Sequence, residues 1–280
     1  MKAKIMKGQD LALQKTRELK LEIQNINPNP QLAVIQVGED EASNVYVANK
    51  KKFCELIGII PVEYKVSKTI TQQKLAKIIE DLNQKNEING ILVQLPLPQH
   101  IDTKKIINLI KPIKDVDGFH PENIGKLMQN KNCLRPCTPK GIMALLAEYN
   151  INTKGMHAVI IGASNIVGKP MALELINAEA TVTICHEHTQ NLTQHTQVAD
   201  IIIIAIGSTR FLKKEMVKEG VIVIDVGINR DAEGKVTGDV DFNEVAEKAS
   251  YISPVPKGVG PMTVAALMEN TLEAYKLQNQ

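Results

Sequence analysis

Short apolar runs alternate with charged stretches of helical spacing along most of the chain. QLAVIQVG (31–38) is apolar on both faces, as a buried parallel strand is, and residues 43–57 then repeat their apolar positions with the period of a helix. VEYKVS (62–67) predicts a strand, TQQKLAKIIEDLNQ (71–84) a helix, and GILVQLPLP (90–98) a strand that ends in prolines. Ahead of them, MKAKIMKGQDLALQKTRELKLEI (1–23) carries an amphipathic helical pattern. KPIKDVDGFHPENIGKL (111–127) breaks the period with Pro and Gly and reads as a connection crossing between lobes. From TPKGIMALLAEYN (138–150) the alternation resumes. TVTIC (181–185), DIIIIAIG (200–207), VIVIDVGIN (221–229) and YISPV (251–255) predict strands, and GPMTVAALMENTLEAYK (260–276) a last helix that Thr263 caps after Pro261. Strand and helix alternating at this interval predict an α/β protein with mostly parallel sheets.

At 280 residues the chain exceeds one average domain, so two lobes are expected. Their predicted extents are 1–120, completed by 261–280 if the last helix returns to the first lobe, and 121–260. With 3% aromatics and no Trp, Ile, Val and Leu must build the core. A net charge of +2, with Lys and Glu interspersed, argues against nucleic acid as a partner. The longest apolar runs are of strand length, which argues against a membrane span, and the charged N-terminal stretch lacks the apolar core of a signal peptide. Cys133 and Cys137 are close in sequence, but no second ligand pair matches their spacing. Free thiols in a reducing cytoplasm are the plain reading of the four cysteines.

One junction stands out from the alternation. In AVIIGASNIVGKPMALELI (158–176) an apolar strand meets a glycine loop and a helix follows at once. Gly162 allows a tight turn, Ser164 offers a hydroxyl, and Gly168 removes a side chain where the helix must come close. A pyrophosphate at such a helix N-terminus meets N–H groups and the positive end of the helix dipole. The loop departs from G-x-G-x-x-G, since Ser164 stands for the second glycine and the last comes one residue late. By itself it also fits a plain strand-turn-helix.

Ser43, Tyr46 and Lys50 are spaced to share one helix face. An aromatic ring beside a lysine whose charge burial disfavours can bind a flat substrate and move a proton, although a solvated helix face has the same spacing. Tyr-x-x-x-Lys also occurs in short-chain dehydrogenases, but there the glycine loop precedes the pair and here it follows. Gln94 lies at the end of an apolar strand pattern, where an amide must find hydrogen bonds and where α/β ligands collect. Asp115 and Asp117 flank Val116 and suit a metal, an amino-heterocycle or a simple Asx-turn.

Taken together, VGEDEASNVYVANKKKFCELIGI, GILVQLPLP, KDVDGFHPENIGKL, RPCTPKGI, IIGASNIVGKP, VIVIDVGIN, GDVDF and SPVPKGVGPMT resemble one family, in its order and over nearly the whole chain. It is the bifunctional methylenetetrahydrofolate dehydrogenase/methenyltetrahydrofolate cyclohydrolase family. The resemblance implies an N-terminal α/β catalytic domain and a Rossmann-like dinucleotide-binding domain. It also implies oxidation of 5,10-methylenetetrahydrofolate with NADP and hydrolysis of the product to 10-formyltetrahydrofolate, in the one-carbon metabolism that feeds purine biosynthesis. On this reading Lys50 is the central catalytic group, Tyr46 the platform beside the folate, Gln94 the partner that tunes the lysine, and Asp117 the anchor of the pterin's amino edge. Gly260 and Pro261 line the folate pocket, and Gly162, Ala163, Ser164 and Ile228 hold the dinucleotide. The family's habit also implies a homodimer.

Three residues depart from the family's pattern. Ala163 stands where many members carry an Arg that can meet the 2′-phosphate of NADP, and Glu187, just after TVTIC, can accept from a ribose 2′-hydroxyl. Both point toward NAD, which stays open beside NADP. Lys257 replaces a glycine of PVPGGVGPMT and can pair with the glutamate tail of folate. Two other readings compete. An amino-acid or hydroxy-acid dehydrogenase would need an arginine clamp from Arg17, Arg135, Arg210 or Arg230, and a binding protein would keep the nucleotide fold without turnover.

Overall fold

The computed structural model describes residues 3–39 and 41–279, leaving the side chains of 41–43, 45 and 46 outside the description. The chain opens with a two-residue strand, β1 (Lys4–Ile5), and the helix α1 (Gly8–Ile23), so the N-terminal stretch is not helical throughout. β2 (Gln31–Val37), α2 (Glu41–Ile57), β3 (Ile60–Val66), α3 (Gln72–Gln84) and β4 (Gly90–Val93) follow in the expected alternation. β4 stops before Gln94, well short of the prolines. Next come α4 (Thr103–Leu109), α5 (Pro121–Met128), α6 (Cys137–Glu148), β5 (His157–Ile161), α7 (Gly168–Asn177), β6 (Thr181–Cys185), α8 (Leu192–Thr196), β7 (Ile201–Ile204) and β8 (Ile222–Asp225). The last elements are β9 (Asn229–Arg230), β10 (Val236–Thr237), α9 (Phe242–Val245), β11 (Tyr251–Ile252) and α10 (Val259–Gln278).

Two compact units result, one of Gln14–Cys137 with Val264–Gln280 and one of Met1–Leu13 with Thr138–Thr263. The divisions at 137/138 and 263/264 lie beyond the 120/121 and 260/261 expected from the sequence. The segment 111–127 does not cross between units. Pro112 opens a 3₁₀ turn (Pro112–Lys114), and Asp115 then forms a bridge with Ile91 of β4. The buried Lys114 ammonium then donates to the carbonyls of Leu82 and Lys85, closing the end of α3.

The first unit is built on a parallel sheet of order β3-β2-β4, with Ala33 of β2 paired to Val62 and Ile91. Thr71 caps α3 by accepting from the Lys74 amide, and one face of that helix buries Leu75, Ile79 and Leu82. The C-terminal part of α10 belongs to this unit. Ala266, Leu267, Met268 and Leu272 share a core with Leu19 and Ile23 of α1, and Lys15 pairs with Glu269 at 2.8 Å. Thr263 does not cap α10, because the helix begins four residues earlier and puts Pro261 in its first turn, where a missing N–H costs nothing. The Thr263 hydroxyl instead donates back to the Val259 carbonyl.

The second unit carries a parallel sheet of order β1-β11-β8-β7-β5-β6, and β9 and β10 pair antiparallel beside it. Both faces are covered, as the apolar runs require. Ala158, Ile160, Ile201 and Ile203 pack with Ile142, Leu145 and Met171, while Val159, Ile161, Ile202 and Ile204 pack with Val217, Val223 and Val245. The carboxyl ends of β5, β7 and β8 thus form one rim of loops, the place where open α/β sheets bind ligands. No helix among the described residues is long and apolar enough to cross a membrane.

Candidate functional site

In the first unit α2 carries positions 46 and 50 one turn apart on one face. The side chains of Ser43 and Tyr46 lie outside the described residues. Lys50 is half-buried, and its ammonium donates to Oε1 of Gln94 at 3.0 Å. Gln94 is itself fixed. Its backbone N–H donates to Ile35 at 2.8 Å and its side-chain NH₂ to the Leu95 carbonyl at 2.8 Å, which leaves the amide oxygen for Lys50.

The two aspartates of the DVD sequence separate in role. Asp115 is buried and accepts from the His120 N–H at 2.7 Å and from Asn123 at 3.0 Å, so it anchors the loop. Gly118 turns that loop at φ 75°, and a Cβ there would run into the backbone of Arg135 and Pro136. Asp117, between them, receives no hydrogen bond on its carboxylate from the described residues and keeps some surface open. Burial pushes its carboxyl up to about 7, the charge of Lys50 opposing the shift and that of Asp115 adding to it. A carboxylate desolvated this far without donors is poised to take them from a ligand.

No three His, Cys, Asp or Glu side chains gather to hold a metal among the described residues. Cys54, Cys133, Cys137 and Cys185 are buried and form no disulfide, and Cys137 donates to the Val116 carbonyl at 3.2 Å.

In the second unit the glycine loop has the shape that close approach of a phosphate group requires. Gly162 adopts φ 117°, and a Cβ on it would overlap the Ala205 carbonyl. One on Gly168 would overlap the Gly162 carbonyl. Ser164 accepts from the Val167 N–H at 3.1 Å, holding the turn into α7, and Ala163 lies half-buried beside it. These residues fit a dinucleotide, whose phosphates need backbone without side chains in the way. Ile228 stands 51% exposed after β8. Glu187, exposed just past β6, lies 3.6 Å from the His188 ring. Gly260 and Pro261 are half-buried in the first turn of α10, so they fall in a different unit from Lys50.

Sequence reasoning passed over Asp225 and Asp239, the buried carboxylates behind this rim. Their signal was an acid at the end of an apolar strand in VIVID and another in GDVDF.

The model of the tetrahydrofolate dehydrogenase/cyclohydrolase catalytic domain matches residues 6–117, and that of the family's NAD(P)-binding domain matches 136–279. The bifunctional methylenetetrahydrofolate dehydrogenase/cyclohydrolase of Campylobacter jejuni is 50% identical, covers 98% of this chain and 99% of its own, and superposes with a TM-score of 0.96. A 5,10-methylenetetrahydrofolate dehydrogenase of the silkworm Bombyx mori is 40% identical over 99% of both chains, with a TM-score of 0.93. The dehydrogenase-cyclohydrolase of Trypanosoma brucei, solved with NADP and an inhibitor, is 33% identical over 100% of this chain and 99% of its own, with a TM-score of 0.95. With both domain models matched in order and a half-identical relative aligned end to end, the chain belongs to the tetrahydrofolate dehydrogenase/cyclohydrolase family.

Proposed function

We propose that the protein oxidises 5,10-methylenetetrahydrofolate to the 5,10-methenyl form with NADP and hydrolyses that product to 10-formyltetrahydrofolate, with Lys50 carrying the proton of the second reaction. The observation that carries this reading is the Lys50–Gln94 pair beside Asp117, whose carboxylate receives no hydrogen bond from the described residues.

Asp117 can accept from the pterin's amino edge, with Tyr46 as a further folate contact. In the oxidation a lone pair on the neighbouring nitrogen stabilises the positive charge left on the one-carbon bridge, so the protein has only to align donor and acceptor. Gly162, Ala163, Ser164 and Ile228 would hold the dinucleotide, whose oxidised nicotinamide would supply the hydride acceptor. In the hydrolysis the oxygen of water bonds to the methenyl carbon and a proton passes to Lys50 in its neutral amine form, directly or through a second water. The C–N5 bond then breaks with its electron pair on N5, which takes a proton, and the second water proton leaves as the formyl group forms. Gln94 keeps the amine aimed and limits its reach.

The test is one assay of the purified protein with 5,10-methylenetetrahydrofolate and NADP, following cofactor reduction and methenyl accumulation together. Reduction with little methenyl build-up is the expected result. No reduction with NADP or NAD would overturn the reading.

For the cofactor, the family resemblance supports NADP and Glu187 supports NAD, because a carboxylate at the end of β6 suits a ribose hydroxyl and repels a phosphate. Comparing kcat/KM for the two decides it, and NADP is expected to be the better substrate. A homodimer is part of the same proposal. The exposed edge strand β6, with Ile184 on its surface, is a candidate contact, and sedimentation equilibrium tests the assembly. A cytoplasmic location is proposed on four cysteines that form no disulfide.

A further inference from the structure

Behind the rim of the second unit two carboxylates are buried deeper than any other charged group there, Asp225 at 2% exposure and Asp239 at 0%. Asp239 collects four donors. One oxygen accepts from the amides of Ile206 (2.8 Å) and Gly207 (3.1 Å), the other from the amide of Ser208 (2.8 Å) and the side chain of Asn229 (2.8 Å). The first three belong to the loop after β7 and the fourth follows β8, so a single side chain ties two neighbouring loops of the ligand rim together. Asp225 holds Asp239 in turn, accepting from the backbone amides of Gly227, Asp239 and Val240 at 3.0 Å each. Gly227 and Gly238 have no room for a side chain. A Cβ on the first would overlap the Asp239 carboxylate, and one on the second the Asp225 carboxylate.

What the two loops present is as informative as what holds them. Ile206 is 37% and Ile228 51% exposed, large apolar side chains standing in solvent on loops whose backbones are pinned. The loop after β7 also borders the glycine loop, since a Cβ on Gly162 would meet the Ala205 carbonyl and the Ile206 side chain. Two fixed apolar side chains beside a phosphate-binding turn suit a flat heterocycle of the dinucleotide.

We infer that Asp239 is a positioning residue for the dinucleotide, setting the loops of Ile206 and Ile228 at the spacing that NAD(P) needs. The inference rests on the proposed function, since it presumes that this rim binds NAD(P). Four converging N–H groups are the complement of a carboxylate, and an amide in its place turns an NH₂ against donors. Asp239→Asn must therefore displace at least one loop.

The experiment is calorimetric titration of the wild type and D239N with NADP and with NAD. Thermal melting and hydrolysis of supplied 5,10-methenyltetrahydrofolate, which needs no dinucleotide, run in parallel. The expected result is a Kd at least about tenfold weaker in D239N, with hydrolysis within about twofold of wild type. A lowered melting temperature with an unchanged Kd would mean a structural role alone and overturn the inference. If D239N does not fold, Asn229→Ala removes one donor of the four. A Kd weakened about threefold then supports the inference, and an unchanged Kd overturns it. A wild type that binds neither dinucleotide removes the proposed function, and the inference with it, and so is told apart from failure of Asp239 alone.

Discussion

Asp117 in the first unit and Asp225 in the second are both carboxylates raised by burial, to about 7 and about 6 respectively. Asp225 moves less. Three backbone amides donate to it, and hydrogen bonds to the charged form offset the loss of water. Asp117 has no such donors among the described residues, only the opposing charge of Lys50. One carboxylate is spent on the fold and the other is left available. The two units divide along the same line. The first presents side chains, Lys50 and Asp117 among them, and the second presents backbone whose shape is set by glycines and by buried acids.

The strongest attempt to break this contrast is Lys50→Met. If the chemistry of the first unit resides in that amine, hydrolysis of 5,10-methenyltetrahydrofolate should fall by about 10²- to 10⁴-fold while folate still binds, as equilibrium titration would show. Normal hydrolysis by the variant would refute the assignment. In the second unit the corresponding attempt leaves every functional side chain in place. Gly168→Ala adds one methyl group that must overlap the Gly162 carbonyl, so the loop has to open. A loss of about 2–3 kcal/mol, divided between dinucleotide affinity and stability, is expected from titration and melting together. Hydrolysis of supplied methenyl substrate should survive in whatever fraction stays folded.

How much of this was legible beforehand follows from the same division. The strands 31–37, 157–161 and 201–204 are buried on both faces and announce themselves as apolar runs. β11 lies within the strand expected at 251–255, whereas β1 is two residues long in a stretch of helical pattern and exists through its pairing with β11, which no local pattern encodes. Pro and Gly in 111–127 truthfully marked turns, but turns do not say whether a chain leaves its unit. Lys50, Gln94 and Asp117 could be read because side chains carry their chemistry, although the 3.0 Å bond between Lys50 and Gln94 joins residues 44 positions apart. Asp239 was not read, because its partners are mostly backbone amides that are the same in every sequence.

Asp117→Asn sharpens the contrast. The folate KM should rise about tenfold if this carboxylate accepts from the pterin. Stability should move the other way with pH. The native carboxyl titrates near 7 and the unfolded one near its ordinary 3.8, so between these values the folded state holds more protons and wild-type stability falls as pH rises. Above about pH 7 the full cost persists, and the variant is free of it. The stability advantage of D117N, measured by denaturant unfolding, should grow between about pH 5 and pH 8. An advantage that stays flat with pH would mean that burial does not hold the native carboxyl up.

The smallest expected effect lies where the second unit breaks its own rule. Lys257 adopts φ 81° without being a glycine, and its carbonyl accepts from the amides of Gly8 at 3.0 Å and Gln9 at 3.2 Å, so the backbone cannot relax out of that conformation. A non-glycine residue there costs about 1 kcal/mol, and Lys257→Gly recovers this less the extra entropy of glycine in the unfolded chain. A net gain of about 0.5 kcal/mol, read as a slightly higher melting temperature, is the expected stability change. If the exposed ammonium serves the glutamate tail of folate, K257G should also raise KM for a triglutamate substrate more than for the monoglutamate. An equal KM change for both would leave the lysine no part in tail binding, and the strained backbone would then have no functional return.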